Sequence, residues 1–201
     1  RPEEAGAEGR LDSAAALRHC VATLNRLDPA PDIVLVTGDL VDDGTAAEYA
    51  HMRALMAPLR TPYCVIPGNH DDRDALRAAF ADHAYLPRDG MFLHYAIEDF
   101  PLRLIGLDSV VAGRARGELC GERLRWLDAR LAEQPDRPTL LFLHHPPLLD
   151  GIPFWDTLNC RNSPDLATLV RRNPQVVRLI AGHLHQSIHR MWNGVMASSG
   201  P

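Results

Sequence analysis

The sequence contains no lysine; all 21 of its cationic residues are arginine. Aspartate and glutamate number 26, and the formal net charge is -5. A net acidic chain without a basic run argues against a non-specific binder of nucleic-acid polymers or anionic membranes. The missing lysine, beside abundant Ala, Leu and Pro, reads as codon bias from a GC-rich genome. Also absent is any apolar run near the ~18 residues that a bilayer span requires. Residues 1–10 are polar and acidic and do not form a signal peptide. The expected location is therefore the cytoplasm, with no membrane partner. There is no Cys-x-x-Cys pair. Cys20, Cys64, Cys120 and Cys160 are scattered, which speaks against a thiolate zinc site. Buried free thiols in a reducing cytosol are expected, with a disulfide through Cys120 or Cys160 as the alternative. No Met opens the chain, so Arg1 is not expected to be the natural start.

What is present fits one globular domain. The 201 residues are 46% hydrophobic and 23% charged, enough for a substantial core. Helical and strand signals alternate. Leu17, Cys20, Val21, Leu24 and Leu27 recur at helical spacing after Ser13, a capping candidate. Residues 32–37 form a short apolar run, as in a strand buried on both faces. Thr45 and Glu48 make a capping box, and the helix they start carries Tyr49, Met52, Met56 and Leu59 on one face. Residues 62–67 read as a strand and 72–83 as a helix. Residues 91–98 and 102–108 resemble an antiparallel pair. Residues 121–133 read as a helix with Leu124, Leu127 and Leu131 inward, and 139–143 as another buried strand. A long Pro-rich loop then runs to Cys160. Ser163 caps a helix with Pro164 behind it. Residues 176–181 are a strand, and 187–192 with 195–198 form a hairpin around Asn193-Gly194. This pattern indicates a layered α/β or α+β domain, with two central sheets and helices outside.

The polar motifs stand directly after the predicted strands. Gly38-Asp39, Gly68-Asn69-His70-Asp71, His144-His145-Pro146-Pro147 and Gly182-His183-Leu184-His185 each occupy such a place. Strand ends at one sheet edge converge on a crevice. Carboxylate, amide oxygen and imidazole together suit Zn, Mn, Fe or Co. Two such cations ~3.5–4 Å apart can bind a phosphate and activate a water for in-line attack.

In this order the motifs resemble the calcineurin-like metallophosphoesterase signature, over residues 33–185. The run at residues 68–73 is similar to that of bacterial class III cyclic-nucleotide phosphodiesterases and glycerophosphodiesterases. The resemblance implies a four-layer α/β/β/α sandwich with two central mixed sheets. It implies two divalent or mixed-valence metal ions of Mn, Fe, Zn or Co. It implies hydrolysis of a small phosphodiester, a 3′,5′-cyclic nucleotide or a glycerophosphodiester, by a hydroxide that bridges the metals. Asp39 would bridge both metals. Asn69, His144 and His183 would complete the second, and His185 would bind the first. His70 would be leaving-group acid or charge stabiliser, with Asp71 orienting its imidazole. Substrate contacts would come from Asn69, His70, His185 and Arg73.

The chain departs from that signature in one respect. The family opens with Asp-x-His on its first strand, and nothing upstream of Asp39 matches it; the early histidine, His19, lies in a predicted helix. Residues 1–4 resemble the segment that lies shortly after that motif in family members. The expectation is a single domain over residues 1–201 that lacks its first strand and its C-terminal end. A phosphomonoesterase with the same metal site, or a degenerate metal-binding module, remain the alternatives. His144 is favoured over His145 as ligand, because the related ligand is followed by any residue and then Pro; His145 would then face substrate. Arg73 would either reach a phosphate or pair with Asp74 or Asp71. Phe154 and Trp155 would either stack on substrate or anchor their loop. Asp42 and Asp43 read as loop and capping residues. His51, like His19, is expected at the surface, and His83, His94 and His189 are expected to be solvated or hydrogen-bonded. A symmetric homo-oligomer is expected by analogy alone.

Overall fold

A computed structural model describes residues 12–149 and 151–200. Residues 1–4, expected to lie just past a missing motif, and the end at Pro201 fall outside the described residues. The first part of the chain alternates α1 (Ser13–Leu24), β1 (Val34–Val36), α2 (Ala46–Met56), β2 (Tyr63–Val65) and α3 (Arg73–Ala79). Then come β3 (Tyr95–Ile97), β4 (Arg103–Leu107), β5 (Gly117–Glu118), α4 (Gly121–Glu133), β6 (Thr139–Leu143), α5 (Pro153–Asp156) and β7 (Cys160–Arg161). The chain closes with α6 (Ser163–Arg172), β8 (Val176–Ala181), β9 (Ile188–Trp192) and β10 (Val195–Ser199).

The larger sheet is mixed, with strand order β3-β4-β6-β8-β10-β9. Strands β4, β6, β8 and β10 run parallel, and β3 and β9 pair antiparallel at the two edges. A smaller sheet holds β1 and β2 in parallel, and β5 pairs with β7. The period of two along a strand divides two cores. Ile105, Leu107, Leu141 and Leu143 face the core beneath α4 and α6, whereas Leu104, Leu140 and Phe142 face the core shared with β2, α2 and α3. The layers are thus helices, small sheet, large sheet, helices. No described helix is long and apolar enough to cross a membrane.

Several local expectations need correction. Val34, Leu35 and Val36 are half-buried, not buried on both faces, because β1 pairs with β2 alone among the described strands. The cap of α1 is Asp12, whose carboxylate accepts from Ala15 N, and the cap of α6 is Asn162, which sits in the left-handed region. The four thiols are free, yet only Cys64 and Cys160 are buried; Cys20 is exposed.

Candidate metal centre

Four loops meet at one end of the two sheets. Gly38-Asp39 leaves β1, residues 68–71 leave β2, His144 leaves β6, and residues 182–185 leave β8. The backbone N–H of Gly182 donates to the His144 carbonyl at 3.0 Å, which aligns the last two. The approach of the first two is closer still. A β-carbon on Gly68 would lie 2.1 Å from Asp39 Oδ1 and 2.3 Å from Asp39 N. Gly38 has φ of +95°, and a side chain there would meet His144 Nδ1 at 2.6 Å.

His144 lies at the centre. Its ring is buried, and Nδ1 stands 2.7 Å from the carbonyl oxygen of Thr37. A carbonyl only accepts, so Nδ1 carries the hydrogen and Nε2 of the neutral ring presents a lone pair. Around that lone pair stand Asp39 Oδ2, Asn69 Oδ1 and His183 Nδ1, each at 3.2 Å. Acceptors crowded so closely repel one another unless a cation or a proton lies among them. Backbone strain points to the same place. Asp39, His183 and His185 have φ of 51°, 72° and 51°, and the other non-glycine residues of positive φ that the structure describes are the turn formers Asn162 and Asn193.

Electrostatics reflect this crowding. Burial works to raise the Asp39 carboxyl, but the N–H of His70 and, whenever a proton sits on Nε2, the hydrogen bond and charge of His144 outweigh it and hold the group near about 2. Burial pushes His183 down to about 4, with help from the charges of His144 and His185. His185 itself is exposed. The expectation that His145 faces substrate is corrected. Its ring is wholly buried between the rings of His144 and His183, and Nδ1 is 2.8 Å from Ser109 Oγ. Burial and its two neighbours hold its pKa well below the usual imidazole range. The rings of His144, His145 and His183 thus form one cluster.

His70 stands apart, half open to solvent, beside a cavity of about 510 Å³ that Asn69, Arg73, Gly90, Met91 and Val110 also line. Its Nδ1 donates to the carbonyl of Asp42 at 2.9 Å, and that bond above all raises its pKa. Asp71 does not orient this ring, contrary to the expectation. It is buried, and it accepts from Gly68 N at 2.8 Å, Leu40 N at 3.1 Å and the Tyr49 hydroxyl at 2.8 Å. A carboxylate that holds the backbone of two ligand loops cannot also face an imidazole turned the other way. Arg73 pairs with neither Asp74 nor Asp71. Its Nε and Nη2 donate to Asp108, at 2.6 and 2.8 Å. Phe154 is largely exposed and packs edge-on against Trp155, and neither lines the cavity beside His70. Sequence reasoning missed Thr37, Asp42, Asp108 and Ser109. Two of these act through backbone carbonyls and carry no side-chain signal. Asp108 and Ser109 do stand at the end of the strand predicted over residues 102–108, and that position was their signal.

The donor set of one carboxylate, one amide oxygen and two imidazoles, with the second-sphere carbonyl of Thr37, fits a transition-metal ion. Comparison with known proteins bears on which kind of centre this is. The model of the calcineurin-like phosphoesterase family matches residues 9–187. A protein of Arcobacter nitrofigilis named "Probable glycerophosphodiester phosphodiesterase GpdQ" is 39% identical over 191 residues, 94% of this chain and 70% of that one. The 3′,5′-cyclic adenosine monophosphate phosphodiesterase CpdA of Escherichia coli K12 is 39% identical over 163 residues, 81% of this chain and 58% of that one. Among solved structures, a dimetal phosphatase from Danio rerio superposes with a TM-score of 0.74 at 17% identity, covering 93% of this chain and 77% of its own. At that identity the likeness speaks for the fold.

Proposed function

The chain belongs to the calcineurin-like phosphoesterase family, and from that premise we propose that it hydrolyses small phosphodiesters, either 3′,5′-cyclic nucleotides or glycerophosphodiesters. The observation that carries this reading is the convergence of Asp39, Asn69 and His183 on the lone pair of His144. Family membership implies two metal ions. Asp39, Asn69, His144 and His183 would hold one, and Asp39 with His185 would contribute to the other. Mn, Fe, Zn and Co all suit these ligands. When bound, the ions supply Lewis acidity to the phosphate oxygens and acidify the attacking water.

The protein's own groups do the rest. The backbone N–H of His70 donates to Asp39 Oδ1 at 3.0 Å and favours its ionised form. Thr37 fixes the tautomer that turns Nε2 of His144 toward the centre. The Asp42 carbonyl favours the protonated His70 ring, which stands at the cavity mouth where an alcohol leaves. A proton on that ring passes to the departing oxygen as the P–O bond breaks. We place Asp71 as the residue that holds the loops, not as an acid or base. Residues 1–201 act as one domain in this reading, in the cytoplasm and on a small-molecule substrate.

Metal content and turnover test it together. The protein loaded with Mn is expected to hydrolyse bis(p-nitrophenyl) phosphate and one or more cyclic nucleotides. His144→Ala should lower kcat/KM about 1,000-fold or more, with loss of bound metal, as removal of a central charge-holding group does. A Mn-loaded protein that turns over neither diester would sink the proposal. Preference for small monoesters would move it to the phosphomonoesterase reading.

A further inference from the structure

The centre is assembled from two sheets that no strand pairing among the described residues joins. Asp39 and Asn69 come from the smaller sheet, His144 and His183 from the larger. Their spacing depends on what bridges the sheets at this end. Arg73 opens α3, three residues after His70. Its guanidinium crosses to the end of β4. Nε donates to Asp108 Oδ2 at 2.6 Å, and Nη2 to Asp108 Oδ1 at 2.8 Å and to the Val110 carbonyl at 2.7 Å. Asp108 is wholly buried, and its remaining lone pairs accept from Leu93 N and Val110 N, both at 3.0 Å. Such a planar fork is a geometry that only arginine supplies.

The location of this fork matters more than its strength. Leu107, just before Asp108, lies in register with Leu143, just before His144. The fork therefore ties the end of the Asn69-His70 loop to the strand beside the one that presents His144. Asp71 ties the start of the same loop to Gly68 and Leu40. Asn69 and His70 sit between two clamps. A buried ion pair adds little net stability over apolar residues of the same volume. Displacement of a reacting group by ~1 Å, in contrast, costs about 100-fold in rate.

We propose that Asp108, acting through Arg73, is a positioning residue that sets Asn69 and His70 against His144. The inference rests on the phosphodiesterase reading of the centre. With Nε and Nη2 committed to Asp108 and Val110, the guanidinium as a whole does not turn onto a substrate phosphate. The guanidinium cannot leave Asp108 without stranding a buried carboxylate that has lost its counter-ion.

The test compares Asp108→Asn, Arg73→Lys and the double replacement Arg73→Met with Asp108→Leu. Mn affinity is measured by calorimetry, kcat and KM on bis(p-nitrophenyl) phosphate, and stability by thermal melting. Each single variant should weaken Mn binding and lower kcat by about 10- to 100-fold, with KM nearly unchanged. The double variant should lose no more than either single, because the two residues act as one unit. It also keeps the test open where a lone buried charge prevents folding. Single variants that melt earlier yet bind Mn and turn over like the wild type would overturn the proposal. So would an Arg73→Lys variant that raises KM while Asp108→Asn does not, since Arg73 would then touch substrate. A wild-type protein that binds Mn but cleaves no diester refutes the phosphodiesterase reading alone. The Mn affinities of the variants then still decide the clamp, for it if lowered and against it if equal.

Discussion

Asp39 Oδ1 occupies the space that a methyl group on residue 68 would need. Glycine at 68 is thus the condition for Asp39 and Asn69 to share one site, and the conflict is with backbone as well as side chain, so neither neighbour can rotate away. Gly68→Ala is expected to shift the Asp39 turn, weaken metal binding and reduce kcat/KM by at least about 100-fold, because a ligand displaced by ~1 Å no longer reaches its partner. Stability should fall by only about 1–3 kcal/mol, as in other overpacked sites. Steady-state kinetics beside a urea melt separate the two effects; an alanine variant of near-normal activity would show that the loops spread without harm. At this scale much was legible. That Asp39, Asn69, His144 and His183 come together was legible because each lies just past a strand and each has a side chain of a metal-binding type. The partners of Asp71 and Arg73 were not, since a carboxylate or guanidinium in a loop has several neighbours within reach in sequence. Folding brings Tyr49 to Asp71 and Asp108 to Arg73, across 22 and 35 residues.

Among the elements, α2 shows how a local signal serves the distant site. Thr45 accepts from Glu48 N at 3.3 Å, while Glu48 Oε2 accepts from Thr45 N at 2.9 Å. This reciprocal cap satisfies N–H groups that the first turn leaves without partners. The helix then carries Tyr49 to Asp71 and buries Tyr49, Met52 and Met56. Thr45→Ala is expected to cost about 1 kcal/mol, read as a lower urea midpoint at unchanged slope. An unchanged midpoint would mean that tertiary packing alone holds the helix start. The capping box was plain in the sequence because it is a four-residue pattern. The caps of α1 and α6 fell one residue earlier than Ser13 and Ser163. At α1 the Asp12 side chain reaches the free N–H of Ala15, and at α6 the left-handed turn of Asn162 breaks the chain direction first. The hairpin of β9 and β10 was equally legible, since Asn193 and Gly194 adopt φ of 50° and 91°, as a two-residue turn between twisted strands requires.

For the whole molecule, acid sensitivity is expected from imidazoles placed in packed surroundings. His94 was expected to be solvated or hydrogen-bonded. It lies instead half-buried between Phe92 and Trp126, with Nδ1 lacking a hydrogen-bond partner. Burial, above all, lowers its pKa to about 4 from an unfolded value of 6.5. Between those values the unfolded chain binds more protons than the folded one. The contribution of His94 is therefore fully present above about pH 6.5 and is lost as the pH falls toward about 4. Its size is on the order of 2 kcal/mol after screening by solvent. His94→Phe keeps the ring contacts and cannot be protonated. Urea midpoints at pH 7 and pH 4.5 should differ less in that variant than in the wild type, and an equal difference would assign the acid limb to other groups.

Fold class, strand positions and the loops that converge at the candidate centre were written in the sequence, because hydrophobic period, turn chemistry and strand-end motifs act over a few neighbouring residues. The direction in which each polar side chain turned was not. Whether His145 met solvent or the core, whether Asp71 served an imidazole or a backbone, and which carboxylate Arg73 found were settled when two sheets packed face to face. Those outcomes depend on distances between residues that only packing brings within a hydrogen bond, and no local pattern encodes them.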